Sequence, residues 1–184
     1  MEGIAVVDLE TTGFDKNSDL IVEIGIVELN LKNGEITILF DSIIREKGFG
    51  TRHKDSWVFK NSDLSFEKVR KGPVLETKKV TIQNLLDQYP VTAFNSGFDF
   101  GFLRSRGFEI GNEQPCMMKT CTNILKIPKV GVRGGFKWPK FQETWDHFFP
   151  DSKYIEKHRA LDDALHEARI LHELYKKNLY TMED

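Results

Sequence analysis

Residues Ile4-Ala5-Val6-Val7 form a continuous apolar run that gives way at once to Asp8-Leu9-Glu10. Four apolar residues without alternation read as a short strand buried on both faces. A second apolar stretch, Leu20 to Leu31, is rich in Ile and Val and ends at Lys32-Asn33-Gly34. Ile36 to Ile44 follows, and Asn33-Gly34 between two such runs is a strong hairpin signal. Three strands therefore open the chain, the second pair antiparallel.

The segment from Arg45 to Lys79 mixes charges with scattered aromatics and reads as short helices. Ile82, Leu85, Leu86 and Tyr89 recur at helical spacing, with Thr81 as a candidate N-cap and Pro90 as the stop. Val91 to Phe94 reads as a fourth strand, Phe98 to Arg106 as a helix ending at Gly107, and His158 to Asn178 as the last long helix. No linker or repeat divides the 184 residues, and 40% are hydrophobic, so a single domain spanning 1–184 is expected. With 26 Lys and Arg against 28 Asp and Glu the net charge is −2, which excludes coating long nucleic acid by charge alone. Cys116 and Cys121 cannot make a disulfide framework and read as reduced thiols. Met1-Glu2-Gly3 leads into the first strand without the features of a signal peptide, and no uncharged stretch is long enough to span a membrane. A soluble, cytoplasmic protein is expected.

Three motifs carry chemistry. Asp8 and Glu10 are two apart on a strand, so both carboxylates face one side, where a divalent cation would relieve their repulsion. Taken alone, the pair also fits a solvated strand end. Asn95-Ser96-Gly97-Phe98-Asp99 follows the fourth strand; by itself Asp99 reads as a helix cap. In His158-Arg159-Ala160-Leu161-Asp162-Asp163, helical spacing puts Asp163 on the inward stripe with Ala160, Ala164, Ala168 and Leu171. A carboxylate there is costly unless something satisfies it, and a metal would. Asp162 falls on the opposite, solvent side. Four carboxylates without sulfur suit Mg²⁺ or Mn²⁺, and two such ions about 3.5–4 Å apart clamp the two oxygens of phosphodiester hydrolysis. A histidine of ordinary pKa, about 6.5, can take a proton from the attacking water.

Asp-x-Glu-Thr-Thr-Gly, then Asn-x-x-Phe-Asp, then His-x4-Asp, in that order, resembles the DEDDh branch of the DnaQ-like 3′–5′ exonucleases. The resemblance implies an RNase H-like α/β fold, a mixed five-stranded sheet with helices on both faces. It implies two-metal hydrolysis at the 3′ end of single-stranded DNA or RNA, releasing nucleoside monophosphates. Carried over, Asp8, Glu10, Asp99 and Asp163 become ligands of two Mg²⁺ or Mn²⁺ ions, Asp99 directly or through water, and His158 the general base. Thr11, Thr12, Asn95 and Phe98 become substrate-binding residues, although Phe98 and Phe102, beside a helix start, read from their own pattern as core. Glu23 matches a structural position. Phe94 stands where many relatives have His, and Thr12 where members that degrade very short RNA often have Met. A DNA polymerase subunit is a partner the family allows.

Two other classes share part of this pattern. Actin-like ATPases share an Asp-x-Gly-Thr-Thr loop, but Glu10 replaces the glycine that lets phosphate approach. A nuclease-like module that binds without cutting usually lacks one ligand, and none is missing. Between Gln114 and Gln142 there are six basic residues, Lys119, Lys126, Lys129, Arg133, Lys137 and Lys140, and no acid. With Phe136 and Trp138 interleaved, this stretch could guide a single strand. The plainer reading is a solvated loop before a helix in which Trp138, Phe141 and Trp145 pack together.

Overall fold

A computed structural model describes residues 3–131 and 134–183; Arg133 of the basic segment and the Met1-Glu2 lead lie outside them. Strands β1 (Gly3–Thr11), β2 (Ile21–Asn30) and β3 (Ile36–Ile43) form an antiparallel meander. The two-residue β4 (Val91–Thr92) adds to β1 in parallel, giving the order β3-β2-β1-β4. The chain's seven helices among the described residues are α1 (Trp57–Asn61), α2 (Phe66–Lys71), α3 (Lys79–Gln88), α4 (Ser96–Ser105), α5 (Met117–Leu125), α6 (Phe141–Phe148) and α7 (Ala160–Lys176).

Side chains alternate across a strand, and β1 buries both sets. Ile4 and Val6 join Val27 and Leu29 of β2 beneath α5, α6 and α7. Ala5, Val7 and Leu9 join Ile24 and Ile26 on the opposite face, beneath α3 and α4. A third cluster, Val22 with Val58, Leu64 and Val69, seats α1 and α2 beside β2. The mixed sheet with helices on both faces is thus the expected one, with corrections at its edges.

Four strands are present, not five. The place of the fifth is taken by residues 112–114, joined to β4 by a single parallel bridge between Val91 and Glu113. Pro115 has no N–H and ends that ladder. β4 stops at Thr92, two residues early, because the carbonyls of Ala93 and Phe94 accept from Met117 N and Met118 N at the head of α5. α3 begins before Thr81, which lies inside the helix and caps nothing. α7 starts two residues after His158, whose φ of 54° is left-handed and cannot continue into a helix. Trp138 lies outside α6 and is 64% exposed, whereas Phe141 and Trp145 pack in the core as expected. Cys116 and Cys121 are free and buried.

One glycine decides how the layers meet. A Cβ on Gly25 would stand 2.4 Å from the Ala160 carbonyl oxygen. Its absence lets the first turn of α7 lie directly on β2, opposite Asp8 in the β1–β2 register.

Candidate active site

That close docking brings the three motifs together. Asp8 and Glu10 project from the end of β1 onto the α7 face, paired across the ladder with Gly25 and Glu23. Asp163 rises from the first turn of α7; it is 4% exposed, as is Asp99 in the first turn of α4. Asp99 is no cap: the N-cap position of α4 is Asn95, and Asp99 lies inside the helix. Metal-ligating atoms of Glu10, His158 and Asp163 all lie within 4.8 Å of one another. Asp8 and Asp163 line, with His158, a cavity of about 290 Å³; Asn95 and Asp99 line an adjoining one of about 420 Å³ that shares Asp8 and His158.

Among the described residues no Lys or Arg pairs with Asp8, Glu10, Asp99 or Asp163. Burial, then mutual repulsion, holds the Asp8 and Glu10 carboxyls well above the usual carboxylate range. Burial pushes Asp99 up to about 8. It takes Asp163 only to about 6, since the Tyr154 hydroxyl (2.9 Å) and the Arg159 N–H (3.1 Å) donate to it. Such a set repels itself until a cation enters, so the residues present fit the divalent ions that DEDDh exonucleases use.

Groups that sequence reasoning missed complete the site. Glu167, one turn after Asp163 on the same face, is 3% exposed and accepts the Phe94 N–H at 3.2 Å. Its carboxylate is the strongest repelling neighbour of Asp8. The i, i+4 spacing from Asp163 was the available signal. Glu156 sits 3.6 Å from His158 Nδ1 and is pushed up to about 7, first by burial and then by Asp163. It lies in an irregular segment, where no periodicity marks it. Trp57 meets the His158 ring edge-on at 4.6 Å. Burial lowers the His158 pKa, which favours a neutral imidazole near neutral pH.

Thr11 and Thr12 line the cavity, but their hydroxyls are used within the turn that follows β1. Thr11 Oγ1 donates to the Gly13 carbonyl at 2.6 Å, and Thr12 Oγ1 accepts the Leu20 N–H at 2.9 Å. Arg106, just past the end of α4, clamps the same turn, donating to the carbonyls of Lys16 and Asp19 and pairing with Glu46 at 3.0 Å. Phe102 is core, as expected; Phe98 is only half-buried and forms a cavity wall with the exposed Phe14, ring centroids 6.3 Å apart. Glu23 is structural: it accepts Arg159 Nη2 at 2.6 Å and the Ala160 N–H at 3.0 Å, anchoring the head of α7. Asp162 is not a free surface charge, since Tyr154 Oη (2.7 Å) and Lys157 Nζ (2.8 Å) hold it.

The chain belongs to the RNase T family of exonucleases, whose family model matches residues 5–171. Its fold is the RNase H-like fold of the DEDDh 3′-exonucleases, within the DnaQ-like group. The nuclease domain of 3′hExo, a DEDDh family member solved bound to rAMP, superposes with a TM-score of 0.74 at 15% identity, over 100% of this chain and 96% of that one. Escherichia coli Exonuclease I, solved with a dT13 oligonucleotide, gives 0.66 at 12% identity, over 95% of this chain and 41% of that one. In sequence the chain is 27% identical to DNA polymerase III PolC-type of Clostridium perfringens over 94% of its own length. It is 26% identical to that of Caldanaerobacter subterraneus over 96%. It spans only 11% and 12% of those two polymerases. Among the described residues no helix is long and apolar enough to cross a membrane.

Proposed function

We propose that this chain is a 3′–5′ exonuclease that hydrolyses the terminal phosphodiester of a single strand and releases nucleoside monophosphates. The observation that carries this reading is the convergence of Asp8, Glu10, Asp99 and Asp163 on two adjoining cavities that share Asp8 and His158, without a basic partner among the described residues and beside a histidine whose lowered pKa favours the neutral form. The four carboxylates would hold two Mg²⁺ or Mn²⁺ ions, which when bound offset their repulsion, polarise the scissile phosphate and acidify the attacking water. His158 takes the proton from that water through a ring nitrogen as the new P–O bond forms and the bond to the departing 3′ oxygen breaks. Glu156, on the Nδ1 side, favours the ring orientation that leaves Nε2 to accept the proton. Tyr154 and the Arg159 N–H fix Asp163, so the ligand set is held in place before substrate arrives.

The terminal base meets an apolar wall. Phe14 is 87% exposed and Trp57 51%, and with the half-buried Phe98 they border the cavity that holds Asp8 and His158. Stacking on such faces tolerates any base. The backbone around Thr11 and Thr12 lines that cavity, Asn95 lines the adjoining one, and all three are assigned to the terminal nucleotide. A single domain over residues 1–184 carries every group named, and the PolC-type relatives make a DNA polymerase the partner class to test.

The test uses 5′-labelled single strands of DNA and of RNA with Mg²⁺ or Mn²⁺. The expected products are ladders shortened one nucleotide at a time with mononucleotide release, abolished in Asp8→Asn and Asp163→Asn. Internal cleavage, or ladders unchanged in both variants, would overturn the reading.

A further inference from the structure

Residues 126–131 and 134–138 run as the two arms of a small hairpin that leads into the wall of the active-site cleft. Pro128 and Phe136 bridge in antiparallel fashion, and Lys137 N donates to the Ile127 carbonyl at 2.9 Å. Gly134 and Gly135 both take φ of 81°, which closes the return strand with a curvature that side-chain-bearing residues rarely adopt. The root is fixed: Lys137 Nζ reaches both carboxylate oxygens of Glu143 at 2.6 Å, and the same Glu143 accepts the Lys140 N–H at 2.8 Å. Lys137 is therefore spent on the scaffold. Lys126 and Lys129 are exposed, and neither meets an acidic group among the described residues.

Around this rigid root the apolar side chains are left outside. Trp138 is 64% exposed, Phe136 39% and Val130 98%. Burying a tryptophan is among the largest apolar gains a small protein can make, and here the described residues leave most of it uncovered. The next residues, Pro139 and Lys140, line the cavity that contains Asn95, Asp99 and Glu167. The exposed aromatic and basic groups thus lie on the segment that runs directly into the wall of the cleft, on a chain whose overall charge is −2. Exposed cations and aromatic faces on a segment that joins a cleft of this kind match the phosphates and bases of one polynucleotide strand.

We infer that this hairpin is a second nucleic-acid subsite, which takes the single strand 5′ to the scissile residue by stacking bases on Trp138 and Phe136 and pairing phosphates with Lys126 and Lys129. The inference rests on the exonuclease reading for its direction. It does not rest on turnover for its test. Anisotropy of a labelled single strand of roughly a dozen nucleotides, in EDTA and across about 50 to 200 mM salt, reads binding without cleavage, and the hairpin variants isolate its share. Trp138→Ala is expected to weaken binding about tenfold. Lys126→Ala with Lys129→Ala is expected to flatten the salt slope by about 0.7 for each charge removed. Kinetics with Mn²⁺ then compares this strand with a trinucleotide: the parent's kcat/KM is expected to favour the longer substrate, and Trp138→Ala to lose that preference.

Variants that bind with the parent's affinity and salt slope would overturn the inference, and so would a parent that binds no strand, which would leave the patch to a protein partner. A parent that hydrolyses neither substrate, yet binds in a Trp138-dependent way, would sink the exonuclease reading and leave the subsite standing.

Discussion

His158 keeps a φ of 54°, a conformation that costs a non-glycine residue about 1–2 kcal/mol and that asparagine bears with least strain. His158→Asn is therefore expected to melt at or slightly above the parent's temperature. The same change removes the proton acceptor, so kcat is expected to fall by about 10²–10⁴; calorimetry beside steady-state kinetics reads both. A lower midpoint with kcat intact would contradict the role. Glu167→Gln keeps an acceptor for the Phe94 N–H while removing a charge that repels Asp8. Its metal-free melting point is expected to rise, by about 2–4 °C for each kcal/mol of repulsion relieved; a fall would mean that the charge itself holds the fold. Residues on regular elements were legible in the sequence because period fixes direction: Asp8 with Glu10 on a strand, Asp163 on the small-residue face of α7. Glu167 obeyed the same period as Asp163 and could have been read with it. Glu156 and Trp57 could not, since one lies in an irregular segment and the other opens a five-residue helix.

The head of α7 is the element on which the site turns. Glu23 and Gly25, two apart on β2, do opposite things there: Glu23 binds Arg159 and the Ala160 N–H, and Gly25 makes the room. Gly25→Ala would push its Cβ into the Ala160 carbonyl, which is backbone and cannot swing away. A loss of about 1–3 kcal/mol is expected by chemical denaturation. Activity should fall further, because displacing Asp163 and His158 by about 1 Å can cost about a hundredfold. Equal losses in a variant remote from α7 would argue against this coupling. The meander and the long helix were readable from apolar runs and the Asn33-Gly34 turn, which are local. What escaped was set by contacts that periodicity does not carry: the early end of β4 by the head of α5, the single bridge in place of a fifth strand by Pro115, and Trp138's exposure by the Lys137–Glu143 anchor of the hairpin.

Across the whole molecule, raised carboxyl pKa values make the metal-free protein less stable as pH rises. A carboxyl whose folded pKa exceeds its unfolded value stabilises fully below the latter and loses that contribution through the former. For Asp99 the window runs from 3.8 to about 8, and for Asp163 from 3.8 to about 6. Acids held low by partners, such as Asp63 beside Arg159 and Glu143 beside Lys137, run the other way, so the comparison must be differential. In EDTA, Asp99→Asn is expected to melt above the parent near pH 8, with the gap closing towards pH 4; a gap independent of pH would place the stress elsewhere. Mn²⁺ should lift the parent's midpoint most at the alkaline end of the same window. The central claim, that the buried acids are a cation site for phosphodiester chemistry, is tested most directly by calorimetric titration of Mn²⁺ near pH 8 with a nucleoside 5′-monophosphate present. The expected result is two ions per parent chain and loss of that binding in Asp163→Asn; a parent that takes up no ion, or a variant that binds as the parent does, would contradict it.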